Sequence, residues 1–345
     1  MAKKILITGG SGFIGSNLVS YMLKKKYEVI NVDKLNYSST PDKYKEYKKD
    51  KNYQFIKTDL SSKRIYKILK RYKPKIIFNL ASETHVDRSI DKPFNFVTNN
   101  ILSTLNLTET IRRVYSKKDL KNFKLIHIST DEVFGDIKNK PSDERKSYEP
   151  NSPYAASKAS ADHILRSYKM TYKLPIIVVN CCNNYGPYQF PEKFIPTVII
   201  NLLNNKKVPI YGSGNNVREW LHVYDYCRAL EKVMLKGKVG ENYNVGSGFR
   251  QTNIKLSKMI YIKIKKIFPK LKINKNFFTK TIDRPGHDFR YAINSNKIKK
   301  KLKWKPVIYF SKGIEETIGW YISNISWLKH CSKKYKGQRL GLNDK

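Results

Sequence analysis

The chain opens on a regular alternation of short apolar runs and longer amphipathic stretches. The apolar runs occupy residues 4–8, 28–32, 53–58, 75–81, 124–129 and 175–180. They are strand-sized. Between them, apolar positions at three- and four-residue spacing predict helices over 13–26, 64–72, 95–115 and 153–172. Strand and helix taking turns predicts a parallel sheet wrapped by right-handed crossovers, the Rossmann-type doubly wound α/β class. From about residue 183 the rhythm breaks into Gly- and Pro-rich loops with short helices. The expected division is a Rossmann domain over 1–182, rejoined by parts of 219–247, and a smaller lobe over 183–330 at the carboxyl ends of the strands. Residues 331–345 read as a solvated tail.

The first strand runs directly into Gly9-Gly10-Ser11-Gly12-Phe13-Ile14-Gly15, which opens the first helix. Glycines at this spacing allow a tight turn and close backbone approach, and the helix N-terminus then faces a pyrophosphate. Asp33 ends the second strand about twenty positions on, where a carboxylate takes the ribose hydroxyls of a dinucleotide. An acid there repels a 2′-phosphate, so the expected cofactor is NAD rather than NADP. Asp59, at the end of the third strand, is a candidate for the adenine side.

Tyr154 and Lys158 form a YxxxK pair, a spacing that places both side chains on one helix face. The spacing alone decides little, because Tyr21/Lys25, Tyr44/Lys48, Tyr47/Lys51 and Tyr261/Lys265 match it too. Only Tyr154/Lys158 begins a helix soon after a strand that ends in Ser129-Thr130-Asp131-Glu132. A hydroxyl at that strand end, a tyrosine and a lysine make a proton-transfer site: the cationic lysine is expected to lower the phenol's pKa so that it acts as a base.

Composition changes the picture little. The net charge of +40 raises nucleic-acid binding, but the lysines are strewn over the whole chain and accompany no nucleic-acid motif, so solvated faces are the simpler reading. The charge also favours anionic substrates. The apolar runs are far short of the ~18 residues a membrane span requires. Lys3 and Lys4 precede only Ile5, Leu6 and Ile7, too short a run for a secretory signal, and a cytoplasmic protein is expected. Cys181, Cys182, Cys227 and Cys331 show no metal-ligand or disulfide spacing, so no metal is expected.

These segments together resemble the extended short-chain dehydrogenase/reductases, and among them the dTDP-glucose 4,6-dehydratases. The resemblance runs nearly end to end and includes the glycine turn, Val32-Asp33-Lys34-Leu35, the stretch from Leu80 to Ser89, Thr130-Asp131-Glu132, the stretch from Asn183 to Lys193, and Asp283-Arg284-Pro285-Gly286-His287-Asp288. It implies that Gly9, Gly12, Phe13, Ile14, Gly15, Asp33, Lys34, Asp59, Leu60, Leu80, Ala81, Ser82, Glu83, Asn99, Tyr154, Lys158 and Asn184 line NAD. It implies a nucleotide-diphosphate hexose substrate, held by Thr84, Thr130, Asn183, Lys193, Phe194, Arg218, Asn253, Arg284 and His287, with Pro209, Ile210 and Tyr211 around the base. Tyr154 then takes the C4 hydroxyl proton, with Thr130 and Lys158 orienting. Glu132 removes the C5 proton, Asp131 protonates the departing C6 hydroxyl, and the hydrogen taken from C4 returns to C6. The family is usually dimeric, so a homodimer without nucleic-acid or membrane partners is expected. Thr84, Asn99, Phe134 and Cys182 depart from the family pattern, where serine, threonine, tyrosine and serine are usual.

Two other readings compete. A UDP-sugar 4-epimerase or decarboxylase shares the scaffold but generally lacks the acidic pair after Thr130. A non-catalytic NAD-binding module has no need of the base Tyr154.

Overall fold

The computed structural model describes residues 4–40, 46–274 and 276–342. Lys3 and Tyr44 lie outside the described residues, as do 343–345. Strands β1 (Lys4–Thr8), β2 (Glu28–Asp33), β3 (Tyr53–Lys57), β4 (Ile76–Asn79), β5 (Lys124–Thr130), β6 (Ile176–Cys181) and β10 (Asn242–Val245) form one sheet, in the order β10-β6-β5-β4-β1-β2-β3. Every pairing in it is parallel. This is the doubly wound fold expected from the alternation. The strands read as apolar runs because both faces are covered. Ile5, Ile7, Phe78 and Ile126 pack to one side, and Leu6, Ile30, Ile77 and Leu125 to the other.

The order reverses between β1 and β4, and in such sheets a crevice opens at that reversal beyond the strand ends. The helix Pro153–Tyr172 follows β5 and matches its sequence-predicted range. Ser152 caps it by accepting the Ala155 N–H at 3.1 Å, Pro153 occupies the first turn, and Lys173 ends it in the left-handed conformation. The helix predicted over 95–115 is interrupted. A short helix Pro93–Phe96 passes through a π-helical turn, Val97–Leu102, into the helix Ser103–Val114. The wider turn carries Asn99 and Asn100, and Asn100 accepts the Glu83 N–H at 2.7 Å and donates to Ser157 at 2.8 Å.

The second lobe carries β7 (Asn183–Tyr185), β8 (Val208–Tyr211), β9 (Val217–His222), β11 (Arg250–Thr252) and β12 (Phe278–Thr281) in two small sheets. Its separate core includes Ile195, Ile199, Leu256, Ile260, Ile318 and Tyr321. No described helix is long and apolar enough to cross a membrane.

The solvated tail expected from residue 331 is not what the structure shows. Cys331 is buried in the second core, Arg339 pairs with Asp87 at 2.9 Å, and the Gly341 N–H reaches the Asp91 carboxylate at 2.9 Å. Lysine-rich composition reads as solvation, but two carboxylates at the far side of the cleft draw the segment back onto the protein.

Candidate active site

The glycine turn is shaped by what a side chain would strike. A Cβ on Gly9, where φ is +68°, would stand 2.7 Å from the Ala81 nitrogen, and one on Gly15 would stand 2.0 Å from the Gly9 carbonyl oxygen. Gly12 differs, since its nearest neighbour would be the Gly9 oxygen at 3.4 Å and the space beyond is cavity. Gly12 caps the helix Phe13–Lys24 with no side-chain hydrogen bond, leaving first-turn N–H groups available to an anion. The buried Asp33 carboxylate accepts the N–H groups of Ser11 at 2.9 Å and Leu35 at 2.7 Å. A pyrophosphate against Gly12 and a ribose against Asp33 therefore fit this turn.

Around it lies a cavity of about 260 Å³, lined by every residue expected at the cofactor. Gly9, Gly12, Phe13, Ile14 and Gly15 from the glycine turn, Leu80, Ala81, Ser82 and Glu83 from beyond β4, and Leu60 and Asn184 all line it. Asp59 lies beyond the end of β3 and pairs with Lys34 at 3.5 Å, and the Lys34 amine also donates to the Asn99 side-chain carbonyl.

Thr130, Asp131, Glu132, Tyr154 and Lys158 face the same cavity. Thr130 ends β5 and its hydroxyl accepts the Glu132 N–H at 3.3 Å, opening a 3-10 turn that holds both acids inward. Burial pushes the Asp131 carboxyl well above the usual range, reinforced by Glu132 and Glu219, and its Oδ2 has no protein partner. Burial raises Glu132 as well, but Arg284, Arg218 and Lys193 pull it back toward ionisation. One environment thus raises both carboxyls, Asp131 further, because acids surround Asp131 while cations gather at Glu132.

Tyr154 is anchored by its N–H to Ser89 Oγ at 3.1 Å and packs edge-on against Phe96. Burial and Glu132 raise its phenol, while a hydrogen bond with Thr130 acts in the opposite direction. The expected depression by Lys158 is not seen. The Lys158 amine is turned to the Ile128 carbonyl at 2.6 Å, and burial lowers its own pKa to about 8. The other described tyrosines of the YxxxK pairs sit elsewhere: Tyr21 donates to Glu231, Tyr47 packs on Tyr53, and Tyr261 stacks on Phe277.

Sequence reasoning missed a buried network beneath Lys158. Asp162, one turn further along the helix, accepts Ser129 Oγ at 2.6 Å and the Tyr148 hydroxyl at 3.0 Å, and burial raises its pKa to about 6. Asn79 lies 3.0 Å from His127 Nδ1. An amide donating there assigns the ring proton to Nε2, 3.4 Å from Asp162. The four-residue spacing from Lys158 was the available signal for Asp162, but nothing in the sequence pointed to its partners.

A second cavity, of about 800 Å³, continues from the first and shares Thr84, Glu132, Asn183, Glu192 and Lys193 with it. Phe194, Pro209, Tyr211, Arg218, Asn253, Arg284 and His287 line it. Ile210 does not: alternate residues of β8 face opposite ways, so Pro209 and Tyr211 meet the cavity while Ile210 is buried in the second core. Lys193 donates to the Thr84 carbonyl at 2.6 Å, and Arg218 lies over the Tyr291 ring while bonding the Asp288 carbonyl at 2.9 Å. Tyr291, unassigned from sequence, places its hydroxyl 3.3 Å from Glu132 and 2.6 Å from Asp288.

The family described as GDP-mannose 4,6 dehydratase matches residues 6–317. A dTDP-glucose 4,6-dehydratase of Salmonella typhimurium is 44% identical over 342 residues, covering 95% of each chain. A solved dTDP-glucose 4,6-dehydratase from Streptomyces venezuelae with NAD bound is 36% identical, covers 94% of this chain and 98% of its own, and has a TM-score of 0.86. A UDP-glucose 4-epimerase from Thermotoga maritima is 28% identical, covers 93% of this chain and 99% of its own, and has a TM-score of 0.82. The scaffold alone therefore does not separate the two chemistries; sequence identity over nearly the full length does. On that ground the chain belongs to the dTDP-glucose 4,6-dehydratase family.

Proposed function

We propose that the chain converts dTDP-glucose into dTDP-4-keto-6-deoxyglucose with NAD as resident cofactor. The observation that carries this reading is the buried pair Asp131 and Glu132, adjacent at the end of β5 and set in unlike surroundings, acids around Asp131 and cations around Glu132. Removing water across C5 and C6 needs an acid and a base on neighbouring atoms, and exchange of configuration at C4 needs neither. The glycine turn and Asp33 would hold the dinucleotide, with Leu80, Ala81 and Ser82 along its length. Bound NAD would supply the acceptor for the C4 hydrogen and its later donor to C6.

The remaining steps fall to side chains. Tyr154 accepts the C4 hydroxyl proton, with the Thr130 hydroxyl stabilising the phenolate, and Lys158 adds positive charge on the same helix face. The ketone so formed acidifies the C5 hydrogen. Glu132, whose carboxylate form Arg284 and Arg218 favour, removes that proton. Asp131, its protonated form favoured by burial, delivers a proton to the departing C6 hydroxyl, which leaves as water, and Glu132 returns a proton to C5 as hydrogen is delivered to C6. Arg218, Arg284 and Lys193 hold the diphosphate, and Pro209 and Tyr211 border the base. The setting of this reading is a cytoplasmic homodimer, the dimer resting on the family resemblance.

Incubation with dTDP-glucose in deuterated water tests it. The expected product is lighter by one water and carries solvent deuterium at C5, while a product of unchanged mass makes the epimerase reading correct. Because the reaction has no net oxidation, purified protein is also expected to carry NAD without any being added. Release of denatured protein's nucleotide for chromatography checks this, and near-zero content with activity consuming one NAD per turnover contradicts it.

A further inference from the structure

The segment that leaves the helix Ile325–Ser332 crosses from the second lobe to the helix Val86–Asp91 at the opposite side of the cleft. On the way, Tyr335, Lys336, Gly337, Gln338 and Arg339 form part of the wall of the larger cavity. The Arg339 guanidinium lies 3.8 Å from the centre of the Tyr211 ring. It pairs with Asp87 at 2.9 Å, and the other oxygen of that carboxylate faces Arg284 at 3.4 Å. The Tyr211 hydroxyl donates to Asp87 as well, at 2.9 Å. One buried carboxylate thus fixes two guanidinium groups side by side at the wall of the cavity. With Arg218 and Lys193 also lining it, positive charge there exceeds what Asp87 neutralises, as a diphosphate requires.

The docking is built in, not incidental. Gly341 has φ of +78°, and a Cβ there would stand 2.8 Å from the Asp87 Cβ. Any larger residue would lift the segment off the helix that carries Asp87.

We propose that Arg339 is a substrate-binding residue: the C-terminal segment completes the nucleotide site by placing a second guanidinium beside Arg284 against the diphosphate. This deepens the function proposed above and rests on it. The experiment measures binding of dTDP and of thymidine to NAD-loaded protein by calorimetry and competition, for the unmodified chain, Arg339→Ala, Arg339→Lys and Gly341→Val. Arg339→Ala is expected to weaken dTDP binding by roughly 10- to 100-fold, the range of one charge-assisted hydrogen bond. Thymidine, which has no phosphates, should bind within about twofold of the unmodified protein on the same physical ground. Arg339→Lys should recover part of the loss, and Gly341→Val should reproduce it by undocking the segment while NAD content stays unchanged. Unaltered dTDP affinity in Arg339→Ala overturns the inference, and so does an equal loss for dTDP and thymidine, which a purely structural tail would produce. If the unmodified protein itself fails to bind dTDP, it is the functional reading that falls.

Discussion

Tyr154→Phe is expected to lower turnover of dTDP-glucose by about 10²–10⁴-fold, the usual contribution of a positioned general base. The substitution removes one oxygen and leaves the rest of the anchor in place: the backbone N–H to Ser89 and the edge-on packing against Phe96 do not involve the hydroxyl. Substrate affinity should therefore change little, and the loss should appear in kcat. Single-turnover absorbance of reduced nicotinamide reads the first step directly and should fall in parallel. Tyr261→Phe is the matched control, since that ring stacks on Phe277 in the second core, away from the cleft. A loss below about tenfold in Tyr154→Phe would remove Tyr154 from the role of base.

Glu132→Gln should divide the reaction in two. It takes away the C5 base, leaves the Tyr154 hydroxyl and the dinucleotide cradle in place, and removes a charge that raises the phenol's pKa, so oxidation at C4 should still occur and elimination should stop. Overall dehydration should fall by about 10²–10⁴-fold, with reduced nicotinamide and a 4-keto-hexose accumulating on the protein. Asp131→Asn should also accumulate them, but a better leaving group at C6 should rescue it and not Glu132→Gln, because only the acid assists departure. The pH dependence carries the same signature. Glu132 must be ionised to act, and burial sets its pKa above the ordinary 4.5, so activity should rise with pH through a limb lying above that value. The limb should be missing from the slow reaction of Glu132→Gln. If neither variant accumulates reduced nicotinamide, or both dehydrate at full rate, the division of labour between the two acids is wrong.

The reach of sequence reasoning follows from how local each feature is. The alternation of buried strands with amphipathic helices, the glycine turn with Asp33, and the run Thr130-Asp131-Glu132 are short patterns. Their physical requirements are met within a few residues, so they were legible directly. The π-helical turn at Val97–Leu102 was not, because the apolar spacing of an interrupted helix looks continuous. The acid and base roles of Asp131 and Glu132 came from family resemblance alone, and the charges that bear on them, Glu219 on one side and Arg284, Arg218 and Lys193 on the other, arrive from the second lobe.

Where the decisive contact joins distant segments, local pattern carried no information. Lys158 and Tyr154 share a helix face in sequence, yet the amine is held by the Ile128 carbonyl of the neighbouring strand. Ile210 sits between two residues that meet the cavity and is itself turned into the core by the strand's alternation. Arg339 and Asp87 are 252 positions apart, and in a chain with 68 Lys and Arg nothing marks one arginine near the end as paired. The sequence by itself determined the architecture and the dinucleotide turn, and it named the candidate reacting groups. The tertiary structure decided the charges around those groups, the facing of β8 and the return of the tail, because each depends on burial and contacts that only the folded chain brings together.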